Sequence, residues 1–117
     1  MSSEFPSSGP LDGFSFTVGD QLPGAAGRTG VIKTPHGIIE TPAFVVVGTK
    51  ATVKTVLPET VAELGAQAVL ANAYHLYLQP GADIVEAGGG LGRFMNWPGP
   101  TYTCLLYTST LPTILRV

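Results

Sequence analysis

Residues 43–72 read AFVVVGTKATVKTVLPETVAELGAQAVLAN, and this stretch decides the fold class. Phe44-Val45-Val46-Val47 is a continuous apolar, largely β-branched run, the composition of a strand buried on both faces of a parallel sheet. Gly48-Thr49 ends it. Pro58 suits the first turn of a helix, where a missing N–H costs nothing, and Glu59 then lies near the positive end of that helix. Val61, Leu64 and Ala68 share approximate helical spacing and predict its buried stripe, with Gly65 as the stop. Ala66 to Asn72 follows as a second buried strand centred on Val69-Leu70. Together these make one strand–helix–strand unit of the usual ~30 residues.

The pattern repeats toward the C-terminus. Ala82 to Ala87 predicts a short helix stopped by Gly88-Gly89-Gly90, and Tyr102-Thr103 opens a third strand. The alternation β-α-β-α-β predicts an α/β protein with a parallel sheet. Such a sheet needs helices on both faces or closure into a barrel, and a barrel takes eight strand–helix units and about 250 residues. A chain of 117 residues therefore reads as part of a larger core.

Toward the N-terminus the reading changes to antiparallel. Phe14-Ser15-Phe16-Thr17-Val18 alternates apolar and polar side chains, which predicts a half-buried strand ended by a turn at Gly19-Asp20. Gly24 to Gly27 reads as a flexible connection. Arg28 to Ile32 and Gly37 to Thr41 flank Thr34-Pro35-His36-Gly37, a hairpin turn with Pro at its second position. Residues 1–12, rich in Ser, Gly and Pro, are expected to be disordered.

Composition excludes several classes. Charged residues are 12%, against about 25% in ordinary globular chains, and the net charge is -2. A dedicated nucleic-acid module would carry a basic stripe, so any nucleic-acid partner must find its cations elsewhere. No apolar run approaches the roughly 18 residues of a membrane helix, and the N-terminus has no secretory pattern. With one cysteine, Cys104, the chain can form neither an internal disulfide nor a cysteine-rich zinc site by itself. A cytoplasmic setting is expected.

Few residues invite chemistry. Gly88-Gly89-Gly90-Leu91-Gly92 suggests a phosphate loop, but it follows a helix, lacks a Lys-Ser/Thr pair and is not expected to open a helix. His36 reads as a solvated turn residue. Asn72 and His75 come just past a buried strand, on the side where α/β proteins place their sites. The plainer alternative for Asn72 is a cap on the following turn. Cys104 has no base near it in sequence, and Asp83 with Glu86 has ordinary solvated-face spacing.

Islands along the chain carry a family resemblance. In order they are Gly27-Arg28-Thr29-Gly30, Thr34-Pro35-His36-Gly37, Glu40-Thr41-Pro42-Ala43-Phe44 and Val47-Gly48-Thr49-Lys50-Ala51-Thr52-Val53-Lys54. Pro58-Glu59, Gly65-Ala66, Leu70-Ala71-Asn72-Ala73-Tyr74-His75-Leu76, Pro80-Gly81, Phe94-Met95-Asn96-Trp97 and Gly99-Pro100 complete the series. At this spacing the chain resembles the N-terminal part of the queuine/guanine tRNA-ribosyltransferases (tRNA-guanine transglycosylases), in their queuine-type branch.

The resemblance implies a (β/α)8 barrel preceded by a small antiparallel sheet, with residues 13–103 as its N-terminal part. It implies exchange of a tRNA guanine for a 7-deazaguanine base, through a covalent tRNA–enzyme intermediate made by a carboxylate further along the family sequence. It also implies a dimer, a cytoplasmic location, and a structural Zn2+ held by three cysteines and a histidine in the full-length family, which these residues cannot bind. Val47, Leu70 and Asn72 match positions lining the pocket near the substrate ribose, although barrel packing would equally explain Val47 and Leu70.

The departure is at Cys104, where the family continues Asp-Ser-Gly-Gly-Phe-Gln and the aspartate is essential. Here the chain reads Cys104-Leu105-Leu106-Tyr107-Thr108-Ser109, so residues 104–117 are expected to be a non-family tail of frameshifted or chimeric origin and the chain to be inactive. A non-catalytic homologous subunit that pairs with an active transglycosylase is the alternative.

Overall fold

Thr34-Pro35-His36-Gly37 closes a hairpin, as its composition predicts. The Thr34 hydroxyl accepts from the His36 N–H at 3.2 Å and donates to the Gly37 carbonyl at 2.9 Å, so one side chain ties both ends of the turn. The computed structural model describes residues 13–104. They fall into two compact units that meet in the sequence between Ala43 and Phe44. The expectations for residues 1–12 and for the tail beyond Cys104 lie outside the described residues.

The first unit is an antiparallel sheet of β1 (Ser15–Gln21), β2 (Arg28–Thr34) and β3 (Gly37–Thr41), in that spatial order. Its registers set Phe16 beside Ile32 beside Ile39, and Val18 beside Gly30 beside Thr41, making one apolar face. Gly19-Asp20 is not a turn: β1 runs through it, and the register slips between Val18 and Gln21. The Asp20 N–H leaves the ladder to donate to Thr29 Oγ1 at 2.9 Å, which lets the strand continue across the irregularity. The predicted half-burial also fails, because every residue of β1 is exposed, Phe16 by 49% and Val18 by 42%. Alternation sets which side chains share a face; it cannot supply the layer that would cover them. The Gly24–Gly27 segment is a closed turn, with the Leu22 N–H donating to Gly27 O at 2.8 Å and the Ala25 N–H to Leu22 O at 3.2 Å.

The second unit holds a parallel sheet, β4 (Val46–Val47), β5 (Val69–Asn72) and β6 (Thr101–Cys104), with β5 in the centre. This is the predicted parallel order. The Phe44–Val47 strand is shorter than its apolar run suggests: only Val46 and Val47 pair with β5, Phe44 is 82% exposed and Val47 57% exposed. β-Branching favours extended backbone, but a strand needs a partner ladder at each residue.

Helix α1 (Pro58–Glu63) opens on Pro58 and ends where Gly65 takes φ +87°, as the sequence predicts. Its stripe is narrower. Only Val61 is buried; Leu64 is 79% exposed, and Ala68 lies beyond the helix, next to β5. A helix of less than two turns offers one inward position. Between β5 and β6 run α2 (Ala73–Leu78), α3 (Ala82–Ala87) and α4 (Leu91–Phe94). α3 matches its predicted span and stops at Gly88. α2 carries no helical apolar period in its sequence, and α4 corrects the expectation that no helix begins after the glycine run. That run is still no phosphate loop, since Gly88 caps α3 and Gly89 and Gly90, both at positive φ, turn the chain into a four-residue helix.

The core joins Val61, Leu76, Val85, Leu91, Met95 and Trp97 to Val69 and Ala71 of β5. Trp97 is 5% exposed and its indole N–H donates to Pro100 O at 3.0 Å, so the ring both fills the core and fixes the entry to β6.

Candidate functional site

β5 has two unlike faces. Val69 and Ala71 are 1% and 0% exposed and point into the helix-packed core, so Leu70 and Asn72 occupy the opposite face. Parallel register aligns Val47 with Leu70, Leu70 with Tyr102, and Asn72 with Cys104. Val47, Leu70, Asn72, Tyr102 and Cys104 therefore share the face that the helices leave open. The sequence candidates Val47, Leu70 and Asn72 are brought together, Val47 and Asn72 at the carboxyl ends of their strands and Leu70 two residues before the end of β5.

Backbone bonds hold this edge. The Gly48 N–H donates to Leu70 O at 2.6 Å, and the Asn72 N–H donates to Thr49 O at 3.1 Å, extending the β4–β5 contact one step past the ladder. Asn72 is also the cap of α2: its Oδ1 accepts from the Tyr74 N–H at 3.0 Å and the His75 N–H at 3.3 Å. The plainer reading of Asn72 as a cap is therefore correct, and it leaves the amide nitrogen unspent.

His75 is not on this face. It lies inside α2, with its ring edge-on to Tyr74 at 5.8 Å between centroids. His36 sits in the hairpin turn of the first unit. Cys104 ends β6, a free thiol beside Asn72 in register. Tyr102 is the member that sequence reading passes over. Its signal was available: strand alternation places it on the same face as Cys104, two residues on.

The face is an apolar wall from Val47 and Leu70, with an amide, a phenol and a thiol along one edge. None of these side chains is a carboxylate or a cation. Among the described residues, no three His, Cys, Asp or Glu side chains come together to hold a metal ion. No helix among them is long and apolar enough to cross a membrane.

Residues 23–111 match the model of one protein family, queuine tRNA-ribosyltransferase. The chain belongs to that family. The match begins after β1, covers β2 and β3, the whole parallel sheet and all of the open face, and takes in Cys104. Curated queuine tRNA-ribosyltransferases agree closely: that of Moorella thermoacetica is 57% identical over 89 residues, 76% of this chain and 24% of that protein. Those of Synechococcus elongatus and Gloeobacter violaceus are 55% and 58% identical, over 80% and 77% of this chain and 24% and 23% of theirs. The chain thus spans about a quarter of the length of the relatives it matches. In this queuine tRNA-ribosyltransferase family member the open face of the parallel sheet presents Val47, Leu70 and Asn72 side by side.

Proposed function

We propose that this chain is the N-terminal part of a (β/α)8 barrel that exchanges a guanine in tRNA for a 7-deazaguanine base, queuine or its precursor, in queuosine formation. The observation that carries this reading is the family match over residues 23–111. The parallel order β4-β5-β6, preceded by an antiparallel sheet, is consistent with the opening of such a barrel. In the exchange, a carboxylate attacks ribose C1′ as guanine leaves, and the incoming base then attacks the same carbon and releases the carboxylate. Val47, Leu70 and Asn72 would line the wall against the substrate ribose, two apolar side chains excluding water beside one polar group that orients the sugar.

The 117-residue chain itself is proposed to be inactive in exchange, because Cys104 stands where the family resemblance calls for an essential aspartate. A thiol offers neither the charge nor the paired acceptor oxygens of a carboxylate. The same substitution favours the second reading, a non-catalytic homologous subunit paired with an active one. Residues 104–117 are proposed to be a non-family tail, although the family match runs on to residue 111; the location is proposed to be cytoplasmic and the full-length protein dimeric. The zinc implied by the resemblance does not fit the residues present: three cysteine ligands cannot come from a sequence with one cysteine.

The test combines two readouts. Labelled guanine and unmodified tRNA are incubated with the chain, and the amide spectrum of isotopically labelled chain is followed as the same tRNA is added. No incorporation is expected, with spectral changes concentrated at Val47, Leu70 and Asn72. Incorporation would overturn the assignment of inactivity, and an unchanged spectrum would overturn the tRNA reading. Recovery of the chain in complex with an active transglycosylase would replace the first reading with the second.

A further inference from the structure

Resting on the proposal that the open sheet face receives tRNA, we propose that Lys50 and Gln79 together bind one backbone phosphate of that tRNA, at the carboxyl rim of the parallel sheet. Both side chains are exposed, and the Lys50 ammonium donates to Gln79 Oε1 at 3.3 Å. Lys50 follows Thr49, whose carbonyl accepts from the Asn72 N–H at 3.1 Å, just past β4. Gln79 closes α2, the helix that Asn72 opens. The pair therefore stands on the connections that leave β4 and β5, beside the face that Val47, Leu70 and Asn72 share.

An ammonium can only donate, so the amide atom that faces it is the carbonyl oxygen. This contact uses Gln79 Oε1 and presents Nε2, attached to the same carbon, as a donor beside the cation. Lys50 has three N–H groups and gives one to Gln79, and a neutral amide accepts it without cancelling the charge. The rim thus gathers donors from two side chains around one positive charge.

Base carbonyls, ring nitrogens and sugar hydroxyls all accept hydrogen bonds, but they are neutral. Among nucleic-acid acceptors the phosphodiester alone carries the charge that an ammonium attracts, and its two non-bridging oxygens can take one N–H from each side chain. The open face itself carries neither Lys nor Arg, so a phosphate beside it must be met from the rim. Of the second unit's other described cations, Lys54 lies further along the connection toward α1, and Arg93 packs over Gly89. Lys50 is one residue from the Thr49–Asn72 bond. A phosphate held there would set the register of the strand on the sheet without reading its sequence.

The test is the salt dependence of binding to fluorescently labelled, unmodified tRNA, followed by anisotropy. One single-strand phosphate contact adds about 0.7 to the slope of log affinity against log salt. Lys50→Gln should therefore make the slope shallower by about 0.7 and weaken binding about eightfold at about 50 mM salt, with the two curves meeting near about 1 M. Lys50→Arg should restore both. Gln79→Glu should lose at least as much as Lys50→Gln, because its carboxylate pairs with the ammonium and repels the phosphate. All three variants should melt within a few degrees of wild type, since the bond they alter is exposed. A wild-type slope in Lys50→Gln would overturn the phosphate site and leave the tRNA reading standing. An equal loss in Lys33→Gln, on the antiparallel sheet, would show an effect of summed charge and would also overturn it. If inorganic phosphate shifts the Gln79 side-chain amide signal and tRNA does not, the pair binds a free anion and the proposal fails. A wild-type chain with no response to tRNA would remove the parent reading and this one together.

Discussion

Trp97 links the helical layer to the strand that carries Tyr102 and Cys104, and its replacement has a cost that can be worked out in parts. The indole is 5% exposed, and a Cβ on Gly99 would sit 3.0 Å from Nε1 and 3.2 Å from Cε2, so the turn passes directly over the ring. Pro100 O accepts from the indole at 3.0 Å and also from the Val69 N–H at 3.2 Å. In Trp97→Phe the carbonyl keeps the second partner, so the lost bond costs about 1 kcal/mol and the lost ring volume about 1 kcal/mol more. In Trp97→Ala the cavity dominates, at ~3–5 kcal/mol. The assay is urea unfolding followed by far-UV circular dichroism, because Trp97 is the only tryptophan and its fluorescence disappears with it. The expected order is wild type, Phe, then Ala, with similar slopes. Equal losses in the two variants would show that the hydrogen bond and not the packed ring anchors the turn. A loss below about 1 kcal/mol in Trp97→Ala would refute the placement of this ring in the core.

Other perturbations test the neighbouring elements. Gly65→Ala should destabilise by ~1–2 kcal/mol from backbone strain alone, since φ is +87° there and nothing lies within 4 Å of the new methyl; Gly65→Asn should lose less by the same denaturation assay. Leu64→Lys should stay within about 0.5 kcal/mol of wild type because Leu64 is 79% exposed. Leu76→Ala, fully buried on α2, should cost ~2–5 kcal/mol. A reversal of that pair would mean that the helices pack differently.

Much of this was legible before any coordinates. Pro58 and Gly65 bracket α1 because each acts through its own backbone, Pro by lacking an N–H and Gly by reaching positive φ. Ala82 to Ala87 was legible for the same reason, its glycine stop being local. α2 was not. Its sequence, Ala73-Tyr74-His75-Leu76-Tyr77-Leu78, has one buried position, Leu76, and its start depends on Asn72 acting as a cap instead of as one more strand residue. β1 showed the opposite error: its alternation was read correctly as a strand, and its burial wrongly, since a face acquires burial only from what lies on it.

The site divides along the same line. Residue types and their order determined that two apolar strands flank a short helix, that a polar Asn72 ends the second strand, and that Cys104 stands where the family resemblance calls for an aspartate. Those properties are local or carried by matching motifs, and they need no folding to be read. Which face of β5 stays open was decided only in three dimensions. Val69 and Leu70 are both apolar and differ by one step in the pleat, so hydropathy cannot tell them apart. The helices packed on Val69 and Ala71, and by exclusion turned Leu70, Asn72, Tyr102 and Cys104 outward together; the parallel register then placed Val47 beside them.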